Sequence, residues 1–208
     1  MLGIQNFEAF LVASIMLNLL PGPDNFYILG RSLAQGRNVG IASALGISGG
    51  AIFHTLAAAI GLSALILASP RAFLTVKLLG AAYLVFLGGK MFLNSRKNID
   101  DITSLSGSSF SAAFRQGLVT NAFNPKVALF FLAFLPQFIA KDVDSNFFGF
   151  IVLGFTFVAT STIWGFLLAY SSAAISKKLR DNPKYLEYLN KITGTLLIGL
   201  GVRLVVNR

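Results

Sequence analysis

Apolar residues run along this chain in long stretches separated by polar connectors. The stretches extend from about Phe7 to Leu29, Val39 to Ala68, Ala72 to Leu93, Gly117 to Ala140, Phe147 to Ile175 and Ile192 to Val206. A helix that crosses a hydrocarbon layer of ~30 Å needs about 20 predominantly apolar residues. The pattern therefore predicts an all-α integral membrane protein of six transmembrane helices. The last stretch is short, and a start near Tyr185 would lengthen it. The longest connector, Asn94 to Gln116, is rich in Ser and carries Arg96, Lys97, Asp100 and Asp101. It divides a single polytopic membrane domain, 1–208, into halves of about 1–104 and 105–208. Its last part, Phe110 to Gly117, reads either as an interfacial turn or as an early start of the fourth span.

The halves look related. Lys77-Leu78-Leu79-Gly80 in the third span recurs as Lys191-Ile192-Thr193-Gly194 in the sixth, and Gly88-Gly89-Lys90 recurs as Gly201-Val202-Arg203 with a one-residue offset. The first and fourth spans each hold Asn ahead of a proline break: Asn18 with Pro21 and Pro23, and Asn121 and Asn124 with Pro125. The second and fifth spans show no convincing match. An odd number of spans per half makes the expected arrangement two inverted three-helix repeats, which many transporters use to alternate access to one central site.

Within the first span, Leu20-Pro21-Gly22-Pro23-Asp24-Asn25 cannot continue a regular helix, because proline lacks the N–H and clashes with the preceding turn. Backbone groups freed inside a membrane are tolerated only where they face protein or a watery cavity, so the break points inward. Asn124-Pro125-Lys126 repeats the logic more mildly in the fourth span. Asp24 and Lys126 each follow a proline, and each costs about 2.5 to 3.5 kcal/mol in hydrocarbon, so both should face the interior. An amino acid carries one ammonium and one carboxylate. An inward carboxylate, an inward ammonium and two broken helices suit it, with Asn18, Asn121 and Asn124 supplying neutral hydrogen bonds. The alternative stays open at this point: Asp24 caps the helix that restarts after Pro23, and Lys126 only neutralises it.

His54 lies in the second span on a stripe of small residues at spacing four: Ala42, Gly46, Gly50, His54 and Ala58. Such a stripe lets helices approach closely and turns His54 toward other helices, either as a packing residue or, with Asp24, as a proton-exchanging group. Tyr83, Trp164, Thr160, Ser161 and Thr162 are candidates to line a substrate path, although packing is the commoner use of such residues in spans. Stripes of this kind serve contacts within a protomer as readily as between two, which leaves a homodimer open.

Composition agrees with the pattern. The chain is 55% hydrophobic and 12% charged, against about 25% charged in a soluble domain. The formal charge of +9 would suggest nucleic acid in a soluble protein; here Lys and Arg fall mostly in loops, where lipid headgroups are the counter-charge and no nucleic acid is expected. The first, third and fifth loops hold eleven of them: Arg31, Arg37, Lys90, Arg96, Lys97, Arg115, Lys177, Lys178, Arg180, Lys184 and Lys191. The other side holds five, Arg71, Lys77, Lys141, Arg203 and Arg208. The positive-inside rule puts those odd loops in the cytoplasm and both termini outside it. The absence of cysteine excludes disulfides and thiolate metal sites, one histidine does not readily supply a metal site, and no cofactor is expected. A membrane-embedded enzyme would need a nucleophile or several acids and bases at one depth, and the candidates are too sparse. Efflux of a metal cation or another small solute, and a non-transporting scaffold, are the rival readings.

These residues also carry a likeness. The chain resembles the lysine exporter (LysE/RhtB) family of bacterial amino-acid efflux proteins in Leu20-Pro21-Gly22-Pro23-Asp24-Asn25, in the Gly-rich second span with His54 and Gly61-Leu62, in Leu79-Gly80-Ala81-Ala82-Tyr83-Leu84 with Gly88, and in Thr120-Asn121-Ala122-Phe123-Asn124-Pro125-Lys126. The likeness covers nearly the full length, and the two proline motifs at this separation are its most specific part. It implies a secondary transporter of the bacterial inner membrane that exports amino acids or their derivatives by exchange with protons. Many members of that family carry Asn where this chain has Asp24.

Overall fold

The computed structural model describes residues 3–62, 64, 69–93, 108–140, 147–181 and 184–206, which are all-helical apart from turns and a single β-bridge between Ile4 and Ile139. The helices are α1 (Phe7–Leu19), α2 (Pro23–Gln35), α3 (Arg37–Ala57), α4 (Pro70–Leu93), α5 (Phe110–Ala122), α6 (Pro125–Leu129), α7 (Phe147–Asp181) and α8 (Lys184–Val206). They fall on the predicted stretches, with the first divided into α1 and α2 and the fourth into α5 and α6. Arg37–Leu62, which is α3 with the wider π turn that ends it, and Phe147–Lys177 are each long and apolar enough to cross a membrane. The pair Phe110–Ala122 and Pro125–Phe138, bent by 45°, makes a third if taken as one span. Phe110 to Gly117 is helix rather than a separate turn, and the last helix begins at Lys184. Most of the long connector, from residue 94 to 107, lies outside the described residues.

Local chemistry sets the helix ends. Pro23 opens α2 at its first position, where its missing N–H costs nothing. Gly36 sits at φ 88°, a conformation that favours glycine, and lets α3 begin one residue after α2 ends. Ser109 caps α5 by accepting from Ala112 N.

Helices from the two halves pack in antiparallel register. Gln35, Asp24 and Leu17 in the first stretch meet Ser108, Asn121 and Lys126 of the fourth in descending order. Between α3 and α7, Ala44 meets Gly165, Ser48 meets Thr162 and Thr55 meets Gly154. Between α4 and α8, Gly88 meets Gly194 and Ile198 while Gly201 meets Ala81 and Val85. Small residues permit these approaches. A Cβ on Gly46 would stand 2.1 Å from the Phe114 carbonyl oxygen, and one on Gly50 would stand 2.6 Å from Asn121 Cβ. The small-residue stripe of α3 is thus used inside the chain, against α5.

The largest core cluster is aromatic. Phe10, Phe130, Phe131, Phe134, Phe138 and Phe157 are buried together, with Phe134 and Phe138 at 5.0 Å and Phe10 and Phe138 at 5.3 Å between ring centroids. Beyond the α5–α6 bend the backbone loosens into a π turn, Phe130–Phe134, and a 3-10 turn, Leu135–Phe138, that carry these rings. Other large apolar side chains, among them Ile60, Phe86, Phe148 and Ile163, are exposed on the outer faces, as lipid-facing residues are.

Candidate functional site

The first break leaves the last carbonyls of α1 without helical partners, and in a dry interior each needs a donor. Two side chains supply them. Asn25 Nδ2 donates to the carbonyls of Asn18 and Leu20 at 3.0 and 2.9 Å. Lys126 Nζ, reaching across from the fourth stretch, donates to those of Leu17 and Leu20 at 3.2 Å each. The ammonium thereby sits at the C-terminal end of α1, where the helix dipole favours a cation. Gly22 makes the room: its backbone is extended, and a Cβ there would stand 3.2 Å from Lys126 Nζ.

The second break serves the first in the same way. Asn124 caps α6 through its Oδ1, which accepts from Lys126 N at 3.0 Å, and its Nδ2 donates to Asp24 Oδ2 at 2.7 Å. Asn121 Nδ2 donates to the same oxygen at 3.1 Å. Asp24 stands in the first turn of α2, so the dipole favours its charge. Its carboxylate makes no side-chain cap on its own helix and instead crosses to α5 and the break after it. Asp24 and Lys126 are both buried, at 7% and 6% exposure, and form no salt bridge within 4.0 Å of each other. Each charge is held by polar groups of the opposite break rather than by the other charge.

Asn18, Asp24, Asn121 and Lys126 line one small cavity together with Asn25, Ser161 and Trp164, and its apolar wall is Ile28, Ile47, Val127, Phe157 and Gly165. Its volume of about 10 Å³ is that of a single water on this measure. An amino acid needs the helices to part before it fits. Asn18 also donates to Thr160 Oγ1 at 3.0 Å, tying α1 to α7.

The remaining expected residues divide. Pro21, Gly22, Pro23 and Pro125 stand at the two breaks. Asn124 lies behind the cavity, holding Asp24. His54 Nε2 donates to the Asn121 carbonyl at 3.0 Å, and its ring packs near Phe53 and Phe131. It contacts the residue that holds Asp24 but does not line the cavity. Thr162 pairs with Ser48 at 2.7 Å, and Tyr83 packs near Phe86 of its own helix, away from the site.

Two features of the site go beyond the expectations from sequence. Asn25 stands out there only as part of the proline motif, although the orphan carbonyls of a broken helix call for a donor nearby. On one side of the cavity, Tyr27 Oη donates to the Ala113 carbonyl at 2.9 Å and Arg31 Nη2 donates to Gln116 Oε1, with the guanidinium 5.6 Å from the Tyr27 ring centroid. Arg31 has the sequence position of a loop charge, yet it is 5% exposed. Nothing in its spacing distinguishes the two cases.

The LysE type translocator family model matches residues 15–208. An uncharacterised membrane protein of Bacillus subtilis strain 168, YrhP, is 32% identical over 96% of this chain and 98% of its own length. A leucine efflux protein of Klebsiella pneumoniae is 30% identical over 97% of this chain and 95% of its own, and one of Enterobacter sp. strain 638 is 30% identical over 97% and 96%. No solved structure matches. The chain belongs to the LysE type translocator family, whose members are transporters rather than enzymes.

Proposed function

We propose that this translocator exports amino acids, with aliphatic neutral ones such as leucine as its substrates, across the bacterial inner membrane in exchange for protons. The observation that carries the reading is the buried meeting of Asp24 and Lys126 on two opposed helix breaks, around a cavity with polar and apolar walls. Separated charges of both signs suit a zwitterion, and Ile28, Ile47, Val127 and Phe157 suit a hydrocarbon side chain. The names of the leucine efflux relatives support the same substrate class.

Two further points belong to this reading. The chain forms six spans in two inverted halves, with both termini outside the cytoplasm; the antiparallel register of the first stretch with the fourth, α3 with α7 and α4 with α8 supports that arrangement. The proton is exchanged at Asp24, whose Oδ1 is buried without a hydrogen-bond partner, with His54 acting on it through Asn121. Efflux of a metal cation has no comparable support, since among the described residues no three of His, Asp and Glu come together.

The test is efflux of a labelled amino-acid panel from proteoliposomes, with and without a pH gradient. Gradient-driven flux of leucine and its neighbours, losing its gradient response in Asp24→Asn, is the expected result. No flux of any amino acid from folded protein would move the reading to another solute or to a scaffold.

A further inference from the structure

Two buried polar atoms on the cavity wall have no hydrogen-bond partner: Asp24 Oδ1, an acceptor, and Trp164 Nε1, a donor. Leaving such atoms unpaired in a dry interior is costly, and their persistence at one place calls for an explanation. The polar groups around them are committed elsewhere. Asp24 Oδ2 holds two amides, Asn25 holds the end of α1, and Asn18 holds Thr160. Lys126 gives two of its three N–H groups to the Leu17 and Leu20 carbonyls, which leaves a third. One further orphan, Asn121 Oδ1, lies toward Gly50 of α3, where a Cβ would stand 2.8 Å from it, and is not part of this pair.

We infer that Trp164 is a substrate-binding residue: its indole N–H donates to the α-carboxylate of the substrate, while Asp24 Oδ1 accepts from the α-ammonium. The inference rests on the amino-acid export reading and adds to it a residue and an orientation. One acceptor and one donor on the wall of a water-sized cavity match a molecule whose ammonium and carboxylate are separated by a single carbon. The third Lys126 N–H is available to the same carboxylate. With that end fixed, the side chain lies toward Ile28, Ile47 and Phe157. An indole is well suited to the place, since its body completes the apolar wall and its single N–H donates without accepting.

The test compares leucine with isoamylamine, which keeps the ammonium and the hydrocarbon but has no carboxylate, in wild type and Trp164→Phe. The loss of a hydrogen bond to a charged group should raise the leucine KM by about tenfold or more. Inhibition of flux by isoamylamine should stay unchanged. Trp164 is the only tryptophan in the chain, so biosynthetic replacement by β-(3-benzothienyl)alanine, which has the shape of indole without the N–H, repeats the test if the Phe variant folds poorly. Equal shifts for both ligands, or no shift for leucine, would overturn the role of Trp164 and leave amino-acid export standing, with the orphan pair joined by a structural water. A wild-type protein that carries no amino acid would remove both together.

Discussion

The two helix breaks do the same job by different means. At Pro21-Gly22-Pro23 the chain has no cap of its own, and the carbonyls it frees are held by Asn25 and by Lys126 from the other break. At Asn124-Pro125 the chain caps itself through Asn124, and the amide left over reaches Asp24 of the first break. The first break is therefore fastened from outside, and the second is self-sufficient and does the fastening. Each buried charge is stabilised by polar groups of the opposite half, so parting the two halves exposes both charges at once. Such a coupling fits a site that must open to load and release its cargo.

Removing Lys126 is expected to have the largest effect, because it takes the donor from the first break and the counter-charge from Asp24 together. Lys126→Ala should abolish transport and destabilise by about 3–5 kcal/mol, the range for stripping a buried charge of its partner, read as flux and as thermal unfolding in detergent. Asn124→Ala should come next, at about 1–3 kcal/mol, since it removes the cap of α6 and one of the two bonds to Asp24 Oδ2. Asp24→Asn keeps the shape and an acceptor for both amides, so the protein should stay folded and lose its response to a pH gradient. Gly22→Ala puts a methyl 3.2 Å from Lys126 Nζ; the flexible ammonium can yield, and a loss of about 1 kcal/mol in unfolding experiments is expected. The smallest effect belongs to Gln116→Ala on the cavity's polar side, where Arg31 and Tyr27 keep their contact with each other. Stability should change by under ~1 kcal/mol, while exchange rates rise as that side opens more readily.

Much of this is legible in the sequence because prolines and charges inside apolar runs have few permissible uses. The breaks, the inward Asp24 and Lys126 and the close approach along the stripe with Gly46 and Gly50 all follow from that economy. Which polar group meets which is not legible. Asn18, Asn121 and Asn124 look interchangeable as neutral hydrogen-bond formers. Only tertiary packing assigns Asn18 to Thr160 and the α1 end, and Asn121 and Asn124 to Asp24. Trp164 reads as packing because an indole in a span is usually that, and the orphan state of its N–H depends on neighbours from other helices. Arg31 looks like a loop charge because burial through Gln116, 85 positions away, leaves no trace in local spacing.

The claim that substrate binds where the two breaks cross has a direct test, because the chain has no cysteine of its own. Ser161 lines the cavity beside Trp164, and Ser161→Cys gives a single thiol there. The rate at which a small thiol reagent modifies it in proteoliposomes is then measured with and without saturating leucine. A substrate seated between Asp24 and Lys126 should slow that modification severalfold, and the protection should vanish in Ser161→Cys combined with Asp24→Ala. Modification at the same rate with leucine present, in protein that transports leucine, would put the binding site elsewhere and contradict the account.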